Sequence, residues 1–209
     1  MCSYTPALFD SSLLPRQANK PVLTDAIWAR TKNDQTAGPT EDVHYVLDGG
    51  ALLHRVPWPR GLTYSDILSL YVQYVTRRYA SATVVFDGYE DGPSTKDSAH
   101  QRRTGTSGPI VNFDCNMVLK LKEEFLRNTA NKQRFINILG ENLEQSGYIT
   151  IHSAGDADLS IIQAAIQSAK TITTVLVGDD TDLLVLLCHH AEINARDVFY
   201  SSAKAKIDD

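Results

Sequence analysis

Residues 174–184 have the sequence TVLVGDDTDLL, and this stretch decides the fold class of the chain. An apolar run rich in β-branched residues ends at Gly178, three aspartates follow within four positions, and a second apolar run begins at Leu183. This order predicts a buried strand, a tight turn and the first turn of a helix. In an open α/β sheet, ligands bind beyond the carboxyl ends of the strands. The three aspartates therefore fall where such a sheet binds its ligand.

Acidic side chains crowded at one turn are costly unless a positive charge is bound among them. Two unit charges about 4 Å apart repel by about 4 kcal/mol at an effective dielectric constant near 20. Further acids that converge on the same turn would therefore indicate a bound cation.

Every predicted strand of the chain ends at an acidic residue. The predicted strands are residues 43–47, 83–86, 148–152 and 173–177. The acids that follow them are Asp48, Asp87, Asp156, Asp158, Asp179, Asp180 and Asp182. Because the carboxyl ends of parallel strands lie along one edge of a sheet, these carboxylates are expected to share one crevice.

Segments of helical periodicity separate the strands. The predicted helices are residues 63–80, 116–127 and 132–145, with two more after residues 158 and 182 and a last short strand within 191–200. Residues 51–56 are apolar but are followed by Pro57 and Pro59, so Trp58 is interpreted as the anchor of a surface loop. Strands that alternate with helices predict an α/β fold of three α/β/α layers around a central, mostly parallel sheet.

The composition suits one domain. The chain has 209 residues, of which 43% are hydrophobic, and a net charge of -5. Residues 1–40, rich in proline and polar side chains, are expected to form an N-terminal arm on a domain of residues 41–209. No apolar run reaches the ~18 residues that span a bilayer, and no signal peptide is recognisable. Three scattered cysteines indicate reduced thiols, so we expect an intracellular protein of the nucleus or cytoplasm without a membrane partner.

The predicted crevice suits hard divalent cations. Carboxylate oxygens are the ligands of Mg²⁺ or Mn²⁺, whereas the histidines and cysteines that zinc prefers are missing from these positions. Two such ions about 4 Å apart can activate water, neutralise a phosphodiester and stabilise its leaving oxygen. Taken singly, each aspartate could instead be a helix N-cap or part of an Asp-Gly turn. Acid at the end of all four strands favours the metal site.

The motif series VLDGG, VFDG, GDADL and GDDTDLL resembles the catalytic domain of flap endonucleases, within the PIN-like nuclease superfamily. The resemblance covers about residues 43–190 and implies a nuclease with two bound Mg²⁺ or Mn²⁺ ions. By position, the catalytic and metal-binding acids of the family fall on Asp48, Asp87, Asp156, Asp158, Asp180 and Asp182. The family usually has Glu-x-Glu where this chain has Asp156 and Asp158, and Asp179 would be a neighbour instead of a ligand.

A polar insertion at about residues 89–135 follows the VFDG motif. Lys96 and Arg103 are seven residues apart, on one face of a helix. In the family, a lysine and an arginine at this spacing begin a helical arch and contact the scissile phosphate, so Lys96, Arg102 and Arg103 are the expected phosphate contacts. Eight basic and four acidic residues leave +4 between positions 96 and 134. The expected partner is nucleic acid, DNA before RNA, although a solvated basic stretch is the plainer alternative.

The sequence departs from the family in two further respects, the first of which is that over forty unmatched residues precede its first strand. The family's Gly-Cys-Asp-like motif, which opens a duplex-binding helix-hairpin-helix, has no counterpart, so we expect a fragment or a minimal member. The predicted activity is structure-dependent hydrolysis of phosphodiester bonds in DNA or RNA by a two-metal-ion nuclease, with endonuclease and exonuclease action both left open. One alternative is a catalytically weak or inactive nucleic-acid-binding or scaffold protein on the same fold. A Mg²⁺-dependent phosphatase is a weaker alternative, because Asp48-Gly49-Gly50 lacks the second aspartate of its D-x-D motif.

Overall fold

The computed structural model describes residues 20–31, 42–88, 109–118, 121–154, 156–190 and 197–202. The chain divides into two units, Met1–Gly38 and Pro39–Asp209. In the first unit, helix α1 covers Lys20–Thr31. All other described elements belong to the second unit. No helix among the described residues combines the length and the apolar character that crossing a bilayer requires.

A five-stranded sheet lies at the centre of the second unit. Its strands are β1 His44–Asp48, β2 Ala82–Phe86, β3 Ile149–His152, β4 Thr174–Gly178 and β5 Val198–Ser202. All four strand pairings are parallel, and the strand order is β3-β2-β1-β4-β5. The predicted α/β class is confirmed, and the four predicted strands form within one residue of their expected bounds.

Six helices of the second unit are described. They are α2 Gly49–Arg55, α3 Tyr64–Arg78, α4 Lys122–Arg127, α5 Thr129–Gln145, α6 Asp158–Ala169 and α7 Thr181–His190. The predicted helix from residue 116 was wrong at its start, because Asp114 closes a turn with Asn116 and Val118 pairs with Thr63 in an isolated antiparallel bridge. Helix α2 was not predicted at all, since two glycines open it and two prolines follow it.

The strands bury different side chains on their two faces. Leu47, Val84 and Phe86 belong to a core that α2, α3, α4 and α5 cover. Val46, Val85 and Leu176 belong to a second core, beneath α6 and α7. The sheet is therefore the middle of three layers, and alternation along each strand supplies both cores.

The strand order reverses beside β1. From β1 the chain adds β2 and then β3 on one side, after which it crosses to the other side to add β4 and β5. A reversal of this kind leaves a crevice at the carboxyl ends of the two strands that flank it, here β1 and β4. The fold thus places this crevice between Asp48 and the turn that follows β4.

Trp58 is partly buried and packs against the first core, which the prediction of a surface loop anchor did not include. Its ring centroid is 4.9 Å from that of Phe135, and its Nε1 donates a 2.7 Å hydrogen bond to the Tyr71 hydroxyl. Tyr71 in turn donates to the carbonyl oxygen of Leu53 in α2, at 2.7 Å. The aromatic residues beneath the sheet therefore hold the C-terminal turn of α2.

A lysine also holds the C-terminal turn of α2. The Lys122 ammonium donates to the carbonyl oxygens of Val56, at 2.8 Å, and His54, at 3.3 Å. It also lies 5.5 Å from the centre of a Trp58 ring. Cations suit helix C-termini, where unsatisfied carbonyl groups accumulate, so Lys122 stabilises the end of the helix that begins at Asp48.

Candidate metal centre

Asp48, the last residue of β1, is the N-cap of α2. Its Oδ1 accepts hydrogen bonds from the backbone amides of Gly50, at 2.8 Å, and Ala51, at 3.2 Å. Gly49 is needed for a different reason, because a Cβ at this position would lie 2.3 Å from Cδ1 of Phe86 and 2.7 Å from the carbonyl oxygen of Val85. The Asp-Gly-Gly sequence thus caps α2 and lets it start directly against β2.

Asp87 joins the ends of two strands. It follows β2, and its Oδ1 accepts a 3.0 Å hydrogen bond from the amide of Ala157, at the start of α6. The next residue, Gly88, passes so close to β3 that a Cβ there would lie 1.9 Å from the carbonyl oxygen of Ser153. The close approach sets Asp87 beside the segment that carries Asp156 and Asp158.

The two D-x-D pairs adopt the same local arrangement at the starts of α6 and α7. In each pair, Oδ1 of the first aspartate accepts the backbone amide of the second at 3.1 Å, from Asp158 to Asp156 and from Asp182 to Asp180. Asp180 directly precedes α7 and is thereby placed to cap it, whereas Asp156 lies one residue before Ala157, the N-cap of α6, which makes no side-chain cap hydrogen bond. Negative side chains also suit the positive end of a helix dipole.

Acids from the third and fourth strand ends meet in space. One carboxylate oxygen each from Asp158, Asp180 and Asp182 lies within 4.8 Å of the other two. Asp158 is half-buried and the other two are exposed. Strands β3 and β4 are separated by two strands in the sheet, but α6 and α7 share one core, and their first turns bring the pairs together.

The electrostatics connect the first two strand ends to this cluster. Burial raises the pKa of the Asp48 carboxyl, the amides of Ala51 and Gly50 oppose that rise, and the Asp87 and Asp180 carboxylates add to it. The pKa of the Tyr200 hydroxyl is raised as well, first by burial and then by Asp179, Asp180 and Asp48. Acids after β1, β2 and β4 therefore act on one another at this edge.

Asp179 binds partners outside the cluster. Its Oδ2 lies 3.3 Å from Nη2 of Arg55 in α2, and its Oδ1 accepts a 2.8 Å hydrogen bond from the Ser202 hydroxyl in β5. Arg55 brings a positive charge to this edge, where it balances the acid that the sequence had set apart as a neighbour. That Asp179 is not a metal ligand stays a prediction.

The chemistry of the donors fits Mg²⁺ or Mn²⁺. The three clustered groups are carboxylates, which are the hard oxygen ligands that these ions prefer. At a metal–oxygen distance of about 2.0–2.1 Å, two ligands on opposite sides of one ion are about 4 Å apart. Adjacent ligands are about 3 Å apart, and at most one pair among three ligands can be opposite, so the three oxygens, which lie within 4.8 Å of one another, would have to move closer together to bind one ion.

The predicted phosphate contacts Lys96, Arg102 and Arg103 lie outside the described residues. Two other cations of the predicted insertion stabilise the fold. Lys122 caps α2, and the Arg134 guanidinium lies 4.8 Å from the centre of the Phe113 ring. Lys122 is therefore one of the eight basic residues counted in the net charge of +4, but its ammonium faces the carbonyl groups at the end of α2.

Two residues of the edge, Tyr200 and Arg55, were missed by sequence reasoning. Tyr200 lies in the last strand and Arg55 in the last turn of α2, and neither belongs to a motif. Their only sequence signal was the weak prediction of a strand within residues 191–200, since both reach the acidic turn through long-range contacts.

The molecule is thus an α/β protein with a cluster of acidic side chains at the switch point of a parallel sheet. No protein-family model, curated protein or solved structure matches this chain. Its function must therefore be inferred from its own residues.

Proposed function

We propose that this protein is a metal-dependent nuclease that hydrolyses phosphodiester bonds of DNA or RNA, as the PIN-like resemblance implies. The observation that supports the proposal best is the meeting of Asp158, Asp180 and Asp182, within 4.8 Å, at the edge where Asp48 and Asp87 also end their strands. Like charges at this spacing repel, and a bound divalent cation relieves the repulsion.

Each group of acids has its own part in the proposed site. Asp158, Asp180 and Asp182 would hold one ion, and Asp48 and Asp87, with Asp156 nearby, would complete a two-ion centre. When bound, divalent ions neutralise the charge of the phosphate and lower the pKa of a water molecule that they bind. Asp48 is oriented in advance by two amide hydrogen bonds, and Asp87 by one.

The acidic edge also explains why catalysis would depend on metal. A phosphodiester carries negative charge, and the aspartates of the metal-free edge repel it. Only a neutralised site admits the substrate. The preference for DNA over RNA rests on the resemblance, and it stays a prediction.

Asp180 and the adjacent Asp179 allow a matched test of the proposal, because only the first is a proposed metal ligand. Asp180→Asn should lower Mg²⁺- or Mn²⁺-dependent cleavage by about 100-fold or more, equivalent to about 2.7 kcal/mol of activation free energy. Asp179→Asn, whose side chain binds Arg55 and Ser202, should keep most of the activity. Labelled flap, single-stranded, duplex and RNA substrates are compared with and without a chelator. Undiminished cleavage in excess chelator, or in Asp180→Asn, would contradict a metal-dependent nuclease.

A second candidate is a nucleic-acid-binding protein without catalytic turnover. It is favoured by the capping and bridging hydrogen bonds of Asp48, Asp87, Asp156 and Asp180, which give each acid a structural role. Binding of the same substrates without product formation in Mn²⁺ would support this candidate over the nuclease.

A further inference from the structure

Tyr200 is bonded to the acidic turn through its hydroxyl. The residue lies in β5, and its Oη is 3.1 Å from the carbonyl oxygen of Gly178 and 3.1 Å from that of Asp180. A phenol hydroxyl has one proton, which it donates to either acceptor or shares between them. Because the two carbonyl groups flank Asp179, one side chain ties both ends of the turn between β4 and α7.

The same strand makes a second contact with this turn. Ser202 is two residues beyond Tyr200, so both side chains project from one face of β5. Its hydroxyl binds Asp179, which Arg55 contacts from α2. The Asp179 carboxylate is therefore held by Ser202 and Arg55, whereas Tyr200 holds the backbone on either side of it.

The turn needs such support because it carries three aspartates in four positions. Asp180 accepts the amide of Asp182 and also approaches the carboxylate of Asp158. Repulsion among these groups favours conformations in which the turn opens and the carboxylates separate. The half-buried Tyr200 donates a hydrogen bond to the Asp180 carbonyl oxygen, so it opposes the opening of the turn at Asp180.

We propose that Tyr200 is a positioning residue of the acidic cluster, which holds Asp180 in reach of Asp158 and Asp182 by binding the carbonyl oxygens of Gly178 and Asp180. The inference rests on the metal-binding part of the proposed function. Tyr200 is not a catalytic residue, because its hydroxyl faces the backbone of the turn.

Tyr200→Phe removes only the hydroxyl, and Tyr148→Phe is its matched control. The Tyr148 hydroxyl donates a 3.1 Å hydrogen bond to the carbonyl oxygen of Tyr79, at the other end of the sheet. Mn²⁺ affinity is measured by titration calorimetry, and thermal unfolding is followed in chelator and in Mn²⁺. Tyr200→Phe should bind Mn²⁺ about 10-fold more weakly, in the range found for residues that orient metal ligands, and Tyr148→Phe should bind it as the wild type does.

The metal-free unfolding temperatures separate positioning from general stability. The two variants should unfold at similar temperatures in chelator, and only Tyr200→Phe should lose part of the Mn²⁺-induced increase. If the wild type binds Mn²⁺ and Tyr200→Phe binds it equally well, the role of Tyr200 is wrong while the proposed metal site stands. If the wild type itself binds no Mn²⁺, the proposed metal site and the role of Tyr200 both fail.

Discussion

Strand β1 has a titratable side chain at each end, and the two side chains have different surroundings: neutral hydrogen-bond partners at one end and like-charged neighbours at the other. His44, at its amino end, has hydroxyl partners on both ring nitrogens, 2.8 Å to Ser81 and 2.9 Å to Thr83. Asp48, at its carboxyl end, accepts two backbone amides and has Asp87 and Asp180 as like-charged neighbours. Burial lowers the pKa of His44 and raises that of Asp48, so it favours the neutral form of each.

The two ends differ in how the neighbouring groups add to or oppose the effect of burial on the pKa. The hydroxyl partners of His44 can donate or accept, so they satisfy a neutral imidazole in either tautomer. The amides of Gly50 and Ala51 favour a charged carboxylate at Asp48, although nearby carboxylates make that charge unfavourable. His44 is therefore satisfied by neutral partners, whereas Asp48 has like-charged neighbours, and a bound cation would relieve their repulsion. Titratable groups whose pKa is shifted by burial and by neighbouring charges are typical of functional sites.

The largest expected difference between the two ends is in activity. Asp48→Asn should lower metal-dependent cleavage by about 100-fold or more, or about 2.7 kcal/mol of activation free energy, because a proposed ligand loses its charge. His44→Gln should leave the rate within about twofold, since it lies outside the acidic edge. Initial rates at saturating Mn²⁺ measure both. Equal losses in the two variants would mean that the ends do not differ in function.

Packing should also be more demanding at the carboxyl end. Gly49→Ala places a Cβ 2.7 Å from the backbone oxygen of Val85, and this clash should lower the free energy of unfolding by about 1–3 kcal/mol despite the better helix propensity of alanine. Ser81→Ala, at the exposed amino end, should change it by under about 0.5 kcal/mol. Urea unfolding followed by circular dichroism gives both values. A neutral effect of Gly49→Ala would show that α2 can move away from the sheet.

Without metal, Asp48→Asn should stabilise the protein. Asparagine caps a helix as well as aspartate does, so the substitution removes the charge and keeps the cap. A gain of about 1 kcal/mol would raise the melting temperature by about 2–4 °C in a chain of this length. Because folding raises the pKa of Asp48, the wild type regains stability as the pH falls towards 3.8, and the difference should then vanish. Added Mn²⁺ should stabilise the wild type more than Asp48→Asn, which keeps the proposed ion of Asp158, Asp180 and Asp182.

Thermal unfolding in chelator at pH 7 and pH 4 tests whether Asp48→Asn is more stable than the wild type at pH 7 and about equally stable at pH 4. A variant that is less stable than the wild type at pH 7 would show that the Asp48 charge is already compensated within the protein.

The smallest effect is expected from the pH dependence of His44. Because its pKa is lower in the folded state than the 6.5 of the unfolded chain, its contribution to stability is present above pH 6.5 and is lost as the pH falls below that value. The wild type should therefore lose slightly more stability than His44→Gln between pH 7 and pH 5. Parallel urea titrations at the two pH values measure the difference, and identical losses would mean that His44 titrates normally.

The strands could be predicted because their signal is local. Four apolar, β-branched runs that stop at Asp or Gly indicate strands whatever surrounds them, and alternation with helices indicates the parallel sheet. Helix α2 was missed for a local reason as well. Glycine at positions 49 and 50 argues against a helix, but Gly49 is required by the contact with Phe86 and Val85, which only the folded sheet creates.

The site was predictable in its residue types but not in its supporting contacts. A D-x-D pair after a strand is visible in the sequence, whereas the meeting of Asp158 with Asp180 and Asp182 depends on the packing of α6 and α7 in one core. Tyr200, Arg55 and Lys122 act through contacts with distant parts of the chain, and no spacing rule relates them to the aspartates. Their roles depend on which elements become neighbours.

The position of β1 between β2 and β4 has a consequence for folding. The β1–β2 pair joins neighbouring parts of the sequence, whereas β2, β3 and the helices between them separate β1 from β4. Contacts so distant in sequence are slow to form, because a long loop must close first. The β1–β4 pairing, which completes the acidic crevice, is therefore expected to form later than the β1–β2 pairing. A divalent cation would act as a late folding ligand that favours the completed sheet.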